Sequence, residues 1–477
     1  MGVVAAIDLG ATSGRVILGR VEHGELRLQP VARFPNTPVQ VSDGRHWDIL
    51  FLYSAAMAAL GRASREEPAL VGTAVDAWAV DYGLLIGGRL LGNPYHYRDP
   101  RTAAGVAAVH AAVSPEDLWT RNGLQHLPFN TVFQLAADAA HGLLAVADRL
   151  LLVPDLVGFW ATDTMAAERT NASTTGLLPV RGDDWDHDLI ARLDLPPGLL
   201  PSIVDPGQEL GAVTASVRAE FGIAHELTVT TVGSHDTASS VVGVPSAGEG
   251  TAYISCGTWS LVGTELPSPV TTDAARAAGF TNERGVDGRI RFLTNVMGLW
   301  LLSESIRTWA TQGRDHNLER LLAQAADTLA DVPTFDPDDP RLLAPGDMPT
   351  RIADLLREKG VAVPGTAAEF VRCITQSLAD AYARAVRDIE RLTGQVIATV
   401  HLVGGGAQNT LLCQLTADAV GGQLVAGPVE ATAIGNLLVQ ARTHGLLHGD
   451  VDALRSVVAH SFPPRTYTAR TRSSTGG

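Results

Sequence analysis

Lysine is almost absent. Among 477 residues the sole example is Lys359, in Leu356-Arg357-Glu358-Lys359-Gly360. A P-loop needs Gly-Lys-Ser/Thr behind a glycine-rich loop, so that route to nucleotide phosphates is excluded. Basic residues are outnumbered, 36 against 51 acidic ones for a net charge of −15, and they form no stripe. Nucleic acid and anionic membrane surfaces are therefore not expected partners. An anionic ligand would need backbone N–H groups or a metal ion to offset its charge. Cysteine is scarce too: Cys256, Cys373 and Cys413 lie far apart with no C-x-x-C spacing. That points to reduced thiols in a cytoplasmic protein and gives no reason for a zinc site. No uncharged apolar run approaches the roughly 18 residues of a membrane span. Met1–Ile7 is apolar but meets Asp8 without a basic leader, so no signal peptide is expected.

What is present suits an α/β enzyme. Hydrophobic residues make up 45%, with 48 Gly and 26 Pro, and the length exceeds one core. Val3–Gly19 reads as strand, tight turn, strand, with Ala11, Thr12, Ser13 and Gly14 in the turn. Such a turn is either a plain hairpin or a nest of N–H groups around a phosphate. Asp8, ending the first strand, can hold a hydrated Mg²⁺ through water. Leu26–Arg33 offers a third strand, Trp47–Arg65 a helix and Ala69–Ala77 another strand. Asp76, Trp78 and Asp81 follow; they can bind a polyol, or form a loop around one packed Trp. Acidic residues in Arg181–Asp188 read as a helix N-terminus rather than a metal site.

The centre of the chain is Thr231-Val232-Gly233-Ser234-His235-Asp236-Thr237-Ala238-Ser239, after an apolar run Leu227–Val232. Asp236 can cap the next segment or serve as a general base facing a cleft. The Gly-, Pro- and Ser-rich Val241–Gly250 marks a lobe boundary. Strand–turn–strand then recurs: Thr251–Ser255, Cys256-Gly257-Thr258, Trp259–Gly263. Two such turns facing each other would grip a triphosphate from both sides. Asn295 is expected to open a helix running to Trp309, and Thr334–Pro349 to be a surface excursion. Ala367–Thr393 is a long amphipathic helix closed by Gly394. Ala398–Val403 is a strand running into Gly404-Gly405-Gly406, whose bare backbone suits a flat ligand such as adenine. Glu430–Ala441 is a closing helix in which Gly435 permits close packing.

These segments, with Tyr97-Arg98-Asp99, Leu127–Thr131, Met297–Leu302 and Val403–Thr410, resemble the FGGY carbohydrate kinases from the N-terminus to about residue 440. Within that family the similarity is greatest to members acting on L-rhamnulose. The resemblance implies a two-lobed actin/hexokinase-like (ribonuclease H-like) α/β fold with a central cleft. It divides the chain into an N-terminal lobe 1–243, a C-terminal lobe 244–445 and a tail 446–477. It also implies ATP- and Mg²⁺-dependent phosphorylation of L-rhamnulose at its 1-hydroxyl, with Asp236 as proton acceptor. His235, Asn295 and position 79 would contact the sugar, together with Asp81 and Trp78. Ala11, Thr12, Ser13, Gly14, Arg15, Thr258 and Gly405 would hold ATP. Ala79 stands where a sugar-contacting glycine is expected, and Ser303 where an ATP-contacting glutamine is. L-fuculose and xylulose are the alternative substrates, and a monomer is the expected assembly. A non-catalytic actin-like ATPase is the remaining alternative. A chaperone would need a further peptide-binding domain, and a sugar-sensing repressor an opening DNA-binding helix pair.

Overall fold

The structure is a computed structural model that describes residues 2–246, 249–314, 316–328 and 332–470. Two compact units emerge. The first comprises Met1–Ser246, Glu265–Phe292 and Ala431–Ser461; the second comprises Ala247–Thr264, Leu293–Glu430 and Phe462–Gly477. This partition differs from the contiguous lobes expected from sequence. The closing helix Ala431–Thr443 packs on strands of the first unit, where Gln440 donates to the Ala5 carbonyl at 2.9 Å. The expected tail also divides. Helix Val451–Ser461 joins the first unit, with Arg455 paired to buried Glu265 at 2.6 Å, whereas strand Arg465–Thr468 joins the second. Residues 471–477 of that tail, and 247–248 of the expected boundary, lie outside the described residues.

In the first unit a six-stranded sheet runs in the order Glu209–Ala212, Thr228–Thr230, Leu70–Ala77, Gly2–Leu9, Ser13–Glu22, Glu25–Pro35. Gly2–Leu9 is buried along its whole length, as the apolar run Val3–Ile7 requires, and carries Asp8 into the interior with it. It pairs antiparallel with Ser13–Glu22 and parallel with Leu70–Ala77, which places Asp8 opposite Asp76. Helix Ile49–Glu66 begins where Asp48 accepts from the Phe51 N–H.

In the second unit the same local plan returns. Thr251–Cys256 pairs antiparallel with the strand beginning at Trp259 and parallel with Thr399–Val403. The long helix is Ala367–Thr393, as the periodicity predicts. Thr366 and Glu369 form a reciprocal capping box, and Gly394 closes it at φ 76°. Two expectations fail here. Asn295 lies in strand Ile290–Met297, and the helix starts only at Trp300. The 334–349 stretch is no bare excursion, because Phe335, Leu342 and Met348 are buried apolar anchors. Among the described residues no helix is long and apolar enough to cross a membrane.

Candidate active site

The Gly10–Gly14 turn is shaped by its carbonyls. Gly10 N–H donates to Ser13 O at 3.1 Å, and Asn36 donates to Thr12 O and Gly10 O at 3.0 and 2.9 Å. Oxygens that would repel an anion are thereby engaged. Arg15 pairs with Asp8 at 2.8 Å, placing a guanidinium at the same strand end. Nothing in the residues around Asn36 announces this clamp, which depends on strand pairing between Ser13–Glu22 and Glu25–Pro35.

Asp236 is the first residue of helix Asp236–Val242, after a His235 that makes no side-chain cap. The capping alternative therefore fails, since the carboxylate lies within the first turn. Its side chain is 31% exposed, accepts from the Thr237 hydroxyl at 3.0 Å, and meets no arginine at ion-pair distance among the described residues. The approach to it is rigid. Buried Glu168 accepts from Ser234 N–H at 2.9 Å and Ser234 Oγ at 2.7 Å, while Ala77 N–H donates to Ser234 O at 2.9 Å. Asp76, on the neighbouring strand end, accepts from Asn436 at 2.6 Å. Burial first, then the Asp8 carboxylate, push Asp76 well above the usual carboxylate range, and Asp236 adds to it. Three carboxylates thus share one electrostatic neighbourhood at adjoining strand ends.

Asp81 and Trp78 occupy another position than the sequence suggests. Asp81 Oδ2 accepts from Trp47 Nε1, Trp78 Nε1 and Tyr97 N–H at 2.6, 3.0 and 3.1 Å, and Oδ1 accepts from Gln134 at 2.8 Å. Both oxygens already accept, and the Trp78 ring is buried against Trp47, the centroids 4.1 Å apart. The pair builds a wall, with both side chains buried. Burial pushes Asp81 up to about 6 against these donors. Beside it, Ala79 is only partly buried and precedes Val80 at φ 68°. A β-branched residue there is strained, and it is held by Thr131 Oγ1 donating to Val80 O at 2.7 Å.

Of the other expected site residues, Asn295, Thr258 and Gly405 belong to the second unit, as does Ser303, which stands where a glutamine is expected. The turn at Thr258 is braced by Leu299 N–H on Gly257 O and Trp300 N–H on Thr258 O, at 2.9 and 3.1 Å. Gly404 has φ 82°, and Gly406 abuts Cys256 so closely that a Cβ would overlap its Sγ. Gly405 between them faces open space. Ser303 is exposed on helix Trp300–Thr311.

Residues 3–243 match the N-terminal domain, and 252–444 the C-terminal domain, of the FGGY family of carbohydrate kinases. The chain belongs to that family. A relative from Pectobacterium atrosepticum named rhamnulokinase is 40% identical over 480 residues, covering 99% of this chain and 94% of the relative. One of the same name from Bacteroides thetaiotaomicron is 37% identical over 468 residues, 97% and 95% of the two chains. Among solved structures, a ligand-bound xylulose kinase from Lactobacillus acidophilus superposes with a TM-score of 0.80 at 14% identity, covering 98% and 94%. A Plasmodium falciparum glycerol kinase with ADP gives 0.77 at 13% identity, covering 98% and 94%. The fold is that of these two-domain, actin-like kinases. This FGGY kinase is thus a carbohydrate kinase, with ATP and a sugar as its small-molecule partners.

The residues of the first unit suit a hydrated Mg²⁺ better than a directly caged one. Asp8 is a buried carboxylate beside Asp76, whose Oδ1 has no hydrogen-bond partner among the described residues. Among the described residues no three His, Cys, Asp or Glu side chains are grouped closely enough to hold a metal ion alone. Hard oxygen donors, with water and phosphate completing the shell, are what Mg²⁺ prefers.

Proposed function

We propose that this kinase transfers the γ-phosphoryl group of ATP to the 1-hydroxyl of L-rhamnulose, giving L-rhamnulose 1-phosphate and ADP. The observation that carries the choice of sugar is the 37–40% identity to relatives named rhamnulokinase over nearly the whole chain. Asp236 accepts the proton of that hydroxyl as its oxygen bonds to the γ-phosphorus and the bond to the ADP oxygen breaks. The partly exposed carboxylate, with no arginine at ion-pair distance among the described residues, supports this role, which is worth roughly 10²–10⁴-fold in rate. Most of the remaining acceleration comes from alignment.

In this reading Ala11, Thr12, Ser13, Gly14, Arg15 and Thr258 hold the phosphates, and Gly405 leaves room for adenine. His235, Asn295 and the backbone at Ala79 contact the ketose, with Asp81 and Trp78 fixing the wall behind Ala79. Asp8 would hold Mg²⁺ through water, and the ion would neutralise phosphate charge in a protein that has almost no lysine. Proton acceptance and, Asn295 apart, sugar binding are assigned to residues 1–243; adenine binding and the second phosphate turn are assigned to 244–445. The enzyme works in the cytoplasm, as its three buried free cysteines suit. A coupled ADP-release assay across ketoses and polyols tests the assignment. L-rhamnulose is expected to give the highest kcat/KM, ahead of L-fuculose and xylulose. A preference for either rival would reassign the sugar, and no ADP release with any acceptor would overturn the function.

A further inference from the structure

The ring of His235 is gripped by buried charges that lie far from it in sequence. Arg291, wholly buried, places Nη2 at 3.2 Å from His235 Nδ1. The same Nη2 lies 2.9 Å from Glu283 Oε2, and that oxygen lies 3.2 Å from His235 Nδ1. Arg291 Nε is tied to the Arg284 carbonyl at 3.0 Å, so the guanidinium cannot swing away. Burial alone would raise the Glu283 carboxyl, but the Arg291 guanidinium beside it is the largest influence bringing it below the usual range. Arginine has only donors and keeps its proton. Where Nδ1 accepts from that guanidinium it carries no hydrogen and a neutral imidazole has its proton on Nε2, whereas the Glu283 oxygen, at the same 3.2 Å, would accept from a protonated Nδ1.

On the other side of the ring, Nε2 lies 3.6 Å from Asp236 Oδ1. That exceeds hydrogen-bond length, so the N–H is not committed to the carboxylate. The backbone of His235 is separately fixed by the Thr170 hydroxyl at 3.3 Å. The charged groups facing the ring are thus Asp236, Glu283 and Arg291.

We propose that Glu283 and Arg291 are positioning residues that lock His235 as its Nε2–H tautomer, so that it offers a hydrogen-bond donor to a ketose oxygen beside Asp236. The identity of that oxygen rests on the sugar-kinase reading; the tautomer does not. The arrangement divides the labour. Nε2–H can donate to a hydroxyl or carbonyl oxygen but cannot take the hydroxyl proton, which leaves Asp236 as the acceptor. Glu283 offsets the guanidinium charge, without which a buried arginine would not stay against the ring. A donor fixed in this way discriminates against analogues that lack the matching oxygen.

The test uses the full chain labelled with ¹⁵N-histidine, the His235 signal being assigned by its loss in His235→Gln. In the wild type, Nε2 is expected to be protonated and Nδ1 bare. Arg291→Met and Glu283→Gln are expected to shift the ring toward the Nδ1–H form. Each should raise the ketose KM about tenfold while leaving the ATP KM unchanged. Arg291→Lys should restore part of both readouts. Should Arg291→Met fail to fold, Glu283→Gln and the wild-type spectrum still decide. A wild-type ring protonated at Nδ1 would overturn the proposal, as would folded variants with unchanged tautomer and ketose KM. A wild type releasing ADP with no ketose would overturn the kinase reading, while the spectrum would still decide the tautomer.

Discussion

Gly435 packs against the Ser239 carbonyl, so that a Cβ at 435 would overlap that oxygen and crowd Val242. Ser239 lies on the short helix that begins at Asp236, and Asn436, the next residue, donates to Asp76. One turn of helix Ala431–Thr443 therefore fixes both the proposed base and the carboxylate beside it. Gly435→Ala is expected to destabilise by about 2 kcal/mol, since a backbone clash outweighs the roughly 1 kcal/mol gained in helix propensity. Thermal melts should show the loss, and kcat should fall with ATP affinity retained. A variant as stable and active as the wild type would remove the packing argument.

Asp81 and His96 titrate in opposite senses within one aromatic cluster. Burial raises Asp81 from 3.8 to about 6; burial, with Arg98 and Arg45, lowers His96 from 6.5 to about 3. Between pH 3.8 and 6 the folded chain binds more protons than the unfolded chain at Asp81. Its contribution to stability is thus present at low pH and lost as pH rises through about 6. At His96 the folded chain binds fewer protons between pH 3 and 6.5, so stability rises with pH there. The two slopes oppose each other. Asp81→Asn should leave stability climbing more steeply from pH 4.5 to 6 in urea melts, with the difference from wild type amounting to roughly 2 kcal/mol. An unchanged slope would mean that the carboxylate is ionised throughout.

Gly405 and Gly406 should respond differently to the same change. A side chain at 405 meets open space, whereas one at 406 strikes Cys256. Gly405→Val is expected to fold normally and to weaken ATP more than ketose binding by calorimetry. Gly406→Val should instead lower the melting temperature. A Gly405→Val enzyme with weakened sugar and unchanged ATP affinity would move the adenine site elsewhere.

Local signals in the sequence carried far. The helix Ala367–Thr393 was legible at both ends because Thr366, Glu369 and Gly394 act within a few residues of it. Both strand–turn–strand units were legible for the same reason. What the sequence hid was decided by distant partners. Asn295 sits in a strand because the chain from Ile290 joins a sheet, although the apolar run after it has helical character. Asp81 looked free as a polyol acceptor, but its four donors come from Trp47, Trp78, Tyr97 and Gln134, three of them remote in sequence. Glu283 and Arg291 carry no motif and reach His235 only through folding.

The most direct measurement is Asp236→Asn assayed for ketose phosphorylation and for ATP binding on one preparation. The expected result is unchanged ATP affinity by calorimetry with kcat reduced by about 10²–10⁴-fold. Turnover near that of the wild type would contradict the account, because the transferred proton would then have another acceptor.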